Sequence, residues 1–159
     1  YIAGHGDYTP MHFNKEWMSI TSWPHQIATG IIFQTFVTFF GGRPQDYFDS
    51  PARDLIEKLP TTWDETIVLP DSRIGRLAAF ARRKGDTWFV AILNGGGGRE
   101  IKLPLDFLNA GKFKVVAFFD VMNEPLAMRK KEGFVTHMDT IPVRMRTGGG
   151  FAAMITPAE

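Results

Sequence analysis

The sequence "GRLAAFARRKGDTWFVAILN", residues 75–94, carries the clearest structural signal in this chain. Residues 75–83 and 87–94 are both rich in apolar side chains, and Lys84, Gly85 and Asp86 stand between them. Two extended runs joined by a short turn that contains glycine predict an antiparallel β-hairpin.

Outward from this hairpin, the hydrophobic period stays close to two, and turn residues separate runs of about eight. The further strand candidates are residues 62–69, 99–105, 112–121, 134–145 and 151–156. Seven strands with short connections and no helix between them predict an antiparallel β-sandwich over residues 61–159. Two basic runs, "RRK" (82–84) and "RKK" (129–131), are predicted to be solvated charge at turns.

A run of four glycines follows the hairpin at residues 95–98. A phosphate-binding loop would continue with lysine and serine or threonine and open a helix, whereas this run precedes a predicted strand. We therefore expect a mobile hairpin tip.

The first sixty residues have a different hydrophobic pattern, which predicts helices as well as a strand. Residues 22–34 predict a helix with Ser22 as N-cap, residues 36–40 predict a strand buried in a parallel sheet, and residues 49–60 predict a second helix that ends at Pro60. A parallel strand needs neighbours for its backbone hydrogen bonds, and the sequence shows no second strand of that kind. Residues 1–60 therefore indicate an α/β tail, the last elements of a (β/α)8 barrel.

Composition excludes several classes of function. The chain has 18 basic and 17 acidic residues and a net charge of +1, so no nucleic acid or anionic membrane is predicted as a partner. It has no cysteine, and its four histidines show no helical i, i+4 pair, so zinc chemistry is not expected. The apolar run 31–40 is too short to span a bilayer. The chain starts at Tyr1 without a leader, so we expect it to begin after processing or inside a longer gene product.

Three motifs, in order, carry a resemblance to a known family. They are "GHGDYTPMHFN" with the helix start "TSWPHQIA", then "LPTTWDETIVL", then "FARRKGDTWFVAILNG". They resemble the C-terminal region of glycoside hydrolase family 97, a family of α-glucosidases and α-galactosidases. The family's stretches "GPMDYTPG", "P-x-x-W-D-E-T" and "ARRKGDxWYV" correspond to Gly4–Pro10, Pro60–Thr66 and Ala81–Val90. His5 and Gly6 replace the family's proline and methionine, so substrate preference is not carried over.

The resemblance implies a catalytic barrel that ends near residue 60 and a C-terminal β-domain over residues 61–159. Family members use a pair of carboxylates, because one group protonates the leaving oxygen while the other activates water or attacks the sugar. Asp7 and Glu16, the first acidic residues here, match none of the family's catalytic positions. The pair and the ligands of the family's calcium ion (Ca2+) are therefore expected upstream of Tyr1, and this chain alone is expected to be inactive.

His5, Asp7 and Tyr8 are the candidate substrate-binding residues. Asp7 could accept a hydrogen bond from a sugar hydroxyl, but an Asx turn near Thr9 is the favoured alternative. His5 could contact the sugar or be a solvated loop residue, and Tyr8 could stack on a pyranose ring or anchor the loop. The expected partners are an α-linked oligosaccharide or glycoside and the remainder of the same polypeptide, in the periplasm or secreted.

An alternative treats the β-domain as a non-catalytic carbohydrate-binding or structural β-sandwich module. Such a module presents coplanar aromatic rings on an exposed face, whereas Trp63, Trp88 and Phe89 are predicted to be buried, with Trp63 as a packing anchor. The apolar face of residues 22–59 could also be covered by a second copy, as a homo-oligomer. The residues leave open glucoside or galactoside as substrate, and inversion or retention as stereochemistry.

Overall fold

The computed structural model describes residues 9, 11–16, 18, 20–33 and 39–158. The elements before residue 60 are β1 (Met11–His12), α1 (Trp23–Ile32), β2 (Phe40–Gly41), α2 (Pro44–Phe48) and α3 (Arg53–Glu57). Those after it are β3 (Glu65–Val68), β4 (Leu77–Lys84), β5 (Thr87–Asn94), β6 (Arg99–Pro104), β7 (Phe113–Val121), β8 (Glu124–Val135), β9 (Thr140–Met145) and β10 (Gly150–Pro157). Within the described ranges, no helix is long and apolar enough to cross a membrane.

Helix α1 begins and ends close to its predicted limits. The Ser22 side chain caps it by accepting a hydrogen bond from the backbone N–H of His25, 3.3 Å away, and Pro24 lies in its first turn. Ile27 and Ile31 are fully buried on its apolar side. The capping and periodicity signals are local to this segment, so the sequence suffices to predict the helix.

Strands β1 and β2 pair in parallel, with Met11 opposite Phe40 and His12 opposite Gly41. The expectation that this chain holds only one parallel strand was therefore wrong. The expectation of a strand buried on both faces was also wrong at its end, since Phe40 is 43% exposed. Residues 36–38 of that predicted strand lie outside the described residues.

The second predicted helix, residues 49–60, is wrong as a single element. The structure has the two short helices α2 and α3 instead, with a turn at Asp49–Ala52 between them. Proline at position 51 has no N–H to donate, so an α2 continued through it would lose a hydrogen bond. A new helical turn starts where the Arg53 N–H donates to the Ser50 carbonyl, 3.0 Å away.

The part of the chain after residue 60, which we call the β-region, is antiparallel, as predicted. Its two layers differ in their number of strands. Six strands form one sheet in the order β3-β4-β5-β10-β7-β8, and β6 and β9 form a separate two-stranded sheet. The predicted hairpin is present, with Leu77 opposite Asn94 and Lys84 opposite Thr87. Gly85 has a φ of 56° in its turn, a conformation that favours glycine.

The predicted strand 134–145 is wrong, because a turn divides it between β8 and β9. The Asp139 carboxylate closes this turn by accepting hydrogen bonds from the backbone N–H and the hydroxyl of Thr136, at 2.7 and 2.9 Å. The run "RKK" (129–131) is also not at a turn, since it lies inside the edge strand β8. An edge strand that carries a run of charged side chains lacks the apolar pattern that marks the others.

Two further predictions are corrected around β4 and β5. Arg82 is not solvated turn charge: it is 5% exposed, and its Nη1 donates to the Ile31 carbonyl of α1 at 2.8 Å. The glycines 95–98 are not a hairpin tip, because β5 pairs with β4 and β10 whereas β6 pairs with β9. They form a crossover between the sheets, held by the Asn94 side-chain amide, which donates to the carbonyls of Gly97 and Arg146 at 2.9 Å each.

The six-stranded sheet is covered on both faces. One face packs against β6 and β9, and the fully buried Phe151 and Ile92 lie in this first core. The other face packs against α1, α2 and α3, and Phe89, Phe118 and Met154 of the sheet share this second core with Ile27 and Leu55. Successive strand residues point to opposite faces, so each inner strand contributes to both cores.

Candidate functional site

A cleft of about 720 Å³ opens where β1 and β2 end. In α/β structures, ligands bind outside the carboxyl ends of parallel strands, because the loops that follow those strands meet there. We call it the strand-end cleft; it is lined by Phe13, Asn14, Lys15, Glu16, Trp23, Arg43, Asp46, Asp49, Ser50 and Pro51. The candidate residues from the sequence, His5, Asp7 and Tyr8, lie outside the described residues, and their roles stay predictions.

Aromatic side chains form one wall of the strand-end cleft. Phe13 follows β1 directly, and its ring packs edge-on against Trp23, with centroids 5.8 Å apart and planes at 74°. The Tyr47 ring also packs against Phe13, with a centroid distance of 5.2 Å. The indole nitrogen of Trp23 is buried and has no hydrogen-bond partner in the described part of the chain. The arrangement offers an apolar wall with one unused donor.

Tyr47 also holds the two parallel strands together. Its hydroxyl lies 2.9 Å from the Met11 carbonyl of β1 and within hydrogen-bond distance of the Gly41 carbonyl of β2. Burial raises the pKa of Tyr47 to about 12, so the phenol stays protonated and can donate. This residue fixes the spacing of the strand ends that border the cleft.

Charged side chains form part of the rim of the strand-end cleft. Arg43 and Asp46 make an ion pair at 2.9 Å, and the Asp46 carboxylate also accepts from the Arg43 backbone N–H at 3.3 Å. The hydrogen bond from the Arg43 guanidinium lowers the pKa of Asp46. Asp49 accepts a hydrogen bond from the Gln45 side-chain amide at 2.7 Å. Because Asp46 is held ionised, it cannot serve as a proton donor at neutral pH.

The strand-end cleft can therefore bind and orient a ligand that combines an apolar face with polar groups. General acid–base hydrolysis would need one carboxyl group with a raised pKa beside a second carboxylate. The Asp46 and Asp49 carboxylates do not fit that pattern, since each is already engaged by a neighbouring side chain. Sequence reasoning missed this rim, although the arginine at the N-cap and the acid three residues later form a recognisable capping pair.

A second polar cluster, also missed, lies at the N-terminus of α1. Asp120 near the end of β7 is 4% exposed, and its carboxylate accepts hydrogen bonds from the Ser22 hydroxyl at 2.5 Å and from the Arg146 backbone N–H at 3.0 Å. Burial raises the pKa of Asp120, and these hydrogen bonds oppose the rise. A lone carboxylate in the apolar run "VVAFFDV" was the available signal.

Metal ligands are not grouped in the part of the chain that the structure describes. No three His, Asp or Glu side chains there come close enough together to hold an ion. His25 is engaged instead with the Gly149 carbonyl, its Nδ1 lying 3.0 Å away. The Ca2+ site, which the family resemblance implies before Tyr1, stays a prediction.

The three aromatic residues of the β-region that the sequence predicts as buried pack inward. Trp88 and Phe89 are 6% and 1% exposed, and Trp63 packs edge-on against Phe89 at 5.5 Å. Trp63 is thus a packing anchor, as predicted, and these three rings do not form an exposed platform. The neighbouring acids Asp64 and Glu65 bind different partners. Asp64 pairs with Lys84 at 3.0 Å, and Glu65 pairs with Arg83 at 3.1 Å.

Comparison with known proteins decides the family. Residues 62–156 match the family model described as "Glycosyl-hydrolase 97 C-terminal, oligomerisation". The chain belongs to glycoside hydrolase family 97. This confirms the resemblance of the three sequence motifs.

Two relatives extend the likeness to nearly all of this family 97 chain. It is 33% identical over 157 residues to a retaining alpha-galactosidase of Bacteroides thetaiotaomicron, and 28% identical over 155 residues to a probable retaining alpha-galactosidase of Streptomyces bingchenggensis. Each alignment covers 96% of this chain but only 23% and 24% of the relatives. The chain thus spans about a quarter of the length of these proteins.

Solved structures agree with the fold. A family 97 enzyme from Pseudoalteromonas sp. strain K8, in complex with acarbose, superposes with a TM-score of 0.89 at 26% identity. That alignment covers 99% of this chain and 27% of the enzyme. A beta-arabinopyranosidase matches 84% of this chain and 21% of its own chain, with a TM-score of 0.69 at 30% identity.

Proposed function

We propose that the protein to which this chain belongs hydrolyses α-galactosidic bonds with retention of configuration. The observation that carries the proposal is the 33% identity, over 96% of this chain, to a retaining alpha-galactosidase. The second curated relative bears the same activity in its name. Retention requires a carboxylate nucleophile and a second carboxyl group about 5 Å away, acting in turn as acid and base.

We assign this chain a supporting part in that reaction. The β1–α1–β2 unit has two parallel strands with a helical crossover, which is the repeating unit of a (β/α)8 barrel. We propose that residues 1–60 end the catalytic barrel and that residues 61–159 are an appended β-domain. The strand-end cleft then faces the substrate side, where His5, Asp7 and Tyr8 would add sugar contacts. The catalytic pair and Ca2+ belong to the remainder of the polypeptide.

The decisive experiment compares the full-length protein with residues 1–159 alone, using aryl α-galactoside and aryl α-glucoside. We expect the full-length protein to favour the galactoside in kcat/KM by at least about tenfold, and the isolated chain to give no turnover. NMR of the first product should show the α-anomer. Turnover by the isolated chain, or a β-anomeric first product, would contradict the assignment.

α-Glucosidase activity is the second candidate, because the superposed Pseudoalteromonas enzyme was solved with acarbose and, as a variant, with panose. The same kcat/KM ratio separates the two candidates. A preference for the glucoside would replace the galactosidase proposal and leave the glycosidase proposal standing.

Assembly and location follow as further proposals. The matching family model is described with the word oligomerisation, and Phe48 is more than half exposed here, so we propose a homo-oligomer. Light scattering of the full-length protein tests it, since a monomeric mass at micromolar concentration would refute it. We also propose a periplasmic or secreted location, which cell fractionation tests.

A further inference from the structure

Asp120 joins three separate segments of the chain. Its carboxylate accepts hydrogen bonds from the Ser22 hydroxyl, the Arg146 backbone N–H and the Gly150 backbone N–H, at 2.5, 3.0 and 3.2 Å. Ser22 precedes α1, Asp120 lies near the end of β7, and the other two residues flank the turn before β10. We call this group, with residues 148 and 149 of the turn, the Asp120 joint.

The turn of the Asp120 joint fits against α1 at a distance that only glycine permits. A Cβ on Gly149 would lie 1.9 Å from a carboxylate oxygen of Asp120, and one on Gly150 would lie 2.6 Å from the Cα of His25. Both separations are well below van der Waals contact. The glycines at 148–150 therefore allow the turn before β10 to pack closely against the start of α1.

Two contacts with backbone carbonyls of the turn also hold the start of α1. The Ser22 backbone N–H donates to the Gly148 carbonyl at 3.1 Å, and His25 Nδ1 lies 3.0 Å from the Gly149 carbonyl. The Ser22 hydroxyl both donates to Asp120 and accepts the N-cap hydrogen bond from the His25 backbone N–H. The start of α1 is thus fixed both in position and in direction.

The same helical turn borders the strand-end cleft. Trp23, the residue after Ser22, lines the cleft. Gln26, one turn along, accepts a hydrogen bond from the His12 backbone N–H of β1 at 3.3 Å. A displacement of the helix start would therefore move the aromatic wall and one of the strand ends together.

We propose that Asp120 is a positioning residue: through Ser22 it sets the start of α1, and so places the Trp23 wall of the strand-end cleft for the glycoside. The use of turnover as a readout rests on the proposed function, whereas the placement of Trp23 does not. The β-domain then contributes to substrate binding without touching substrate. Because the catalytic carboxylates are proposed to lie elsewhere, loss of the joint weakens binding more than it slows the chemical step.

The test uses Ser22→Ala and Asp120→Asn in the full-length protein. Hydrogen bonds to a charged group are stronger than those between neutral groups, so we expect either change to raise KM for the aryl glycoside about tenfold while kcat stays within about twofold. The control is Lys130→Gln, which removes a different contact between β-region and helices, the ion pair with Asp54 at 3.7 Å. This control should leave both constants unchanged.

A second readout follows Trp23 directly. Its indole N–H has no hydrogen-bond partner among the described residues, so its signal in a ¹H–¹⁵N spectrum reports local packing. Trp23→Phe assigns that signal. We expect the signal to shift in Ser22→Ala and Asp120→Asn, and in Gly150→Ala, which leaves the carboxylate in place. The Lys130→Gln spectrum should match that of the wild type.

The outcomes separate the two proposals. If the wild type cleaves neither aryl glycoside, the proposed function fails and the indole signal alone decides the joint. An unmoved signal in the folded joint variants, or a fall in kcat at constant KM, overturns the positioning role. Should Asp120→Asn not fold, Ser22→Ala carries the test, since it leaves the backbone donors on Asp120 intact. Coupling in the Ser22→Ala/Asp120→Asn double-mutant cycle is expected, and additive effects would count against the joint.

Discussion

The two cores of this molecule differ in where their residues come from. Among the described residues, the first core, between the six-stranded sheet and β6–β9, is built from the β-region alone. The second core is shared, because α1, α2 and α3 bury their apolar sides against Phe89, Phe118 and Met154 of the sheet. The helical segment, α1 to α3, therefore depends on the sheet for its hydrophobic core, whereas the sheet has a core of its own.

Removing a buried ring from either core should destabilise the protein most. Phe151→Ala in the first core and Phe118→Ala in the second each remove a fully buried ring, at a cost of about 3–5 kcal/mol in the free energy of unfolding. We expect Phe151→Ala to weaken hydrogen-exchange protection throughout, and Phe118→Ala to expose the α1 amides before those of β5. Equal loss of protection in α1 and β5 in both variants would erase the distinction.

A smaller effect is expected where one side chain crosses between the two regions. Arg82→Met removes the hydrogen bond to the Ile31 carbonyl of α1, so we expect a loss of about 1.5–3 kcal/mol in urea unfolding. Arg83→Met is the matched control on the next residue. Arg83 pairs with Glu65 on the surface, and its loss should cost less than about 1 kcal/mol. Equal costs would mean that Arg82 does not link the regions.

The sequence predicts the parts whose signals are local. The β4–β5 turn at residues 84–86 and the Ser22 cap of α1 are encoded within a few residues, and both were found. Arg82 was missed because its partner carbonyl is 51 residues away, and Asp120 because its partner Ser22 is 98 residues away. Burial of a charge depends on which distant group meets it, which no periodicity reveals.

The cleft was missed for the same reason. It exists only because β1 pairs with β2 across the helix that separates them, and strands of two residues leave almost no periodic signal. The turn that ends β8 was missed for a different reason. It is closed by the side chain of Asp139 without glycine or proline, so the run around it resembles one continuous strand.

The contact between the regions should also depend on pH through His25. Burial lowers the pKa of His25 below 6.5, although the Gly149 carbonyl and the nearby Asp120 carboxylate oppose this. The unfolded chain then binds the proton more readily, so stability is lost as pH falls below about 6.5. The raised pKa of Asp120 acts in the opposite sense, because the folded chain binds that proton more readily. This contribution to stability is lost as pH rises above the ordinary value of 3.8. We expect unfolding to be easier at pH 5.5 than at pH 7.5.

Replacing His25 isolates its share of that difference. In His25→Gln, the gap in unfolding free energy between pH 7.5 and pH 5.5 should shrink relative to the wild type, as measured by urea titration at both values. His137, which is not at the contact, supplies the control variant His137→Gln. A gap that shrinks equally in both variants would assign the pH dependence to general charge rather than to the joint.

The change with the smallest expected effect is at Phe39, and it tests the proposal that the rest of a barrel packs beside β2. Its ring is 56% exposed beside β2, so Phe39→Ser should change the stability of residues 1–159 by no more than about 0.5 kcal/mol. If the rest of a barrel packs there, the same change in the full-length protein should cost about 1 kcal/mol or more, because apolar area is then withdrawn from water. Phe134→Ser, on an exposed ring of the β-region, should instead have the same effect in both proteins. Should Phe39→Ser behave like Phe134→Ser, the helical segment would need no covering partner at this edge, and its dependence would be on the sheet alone.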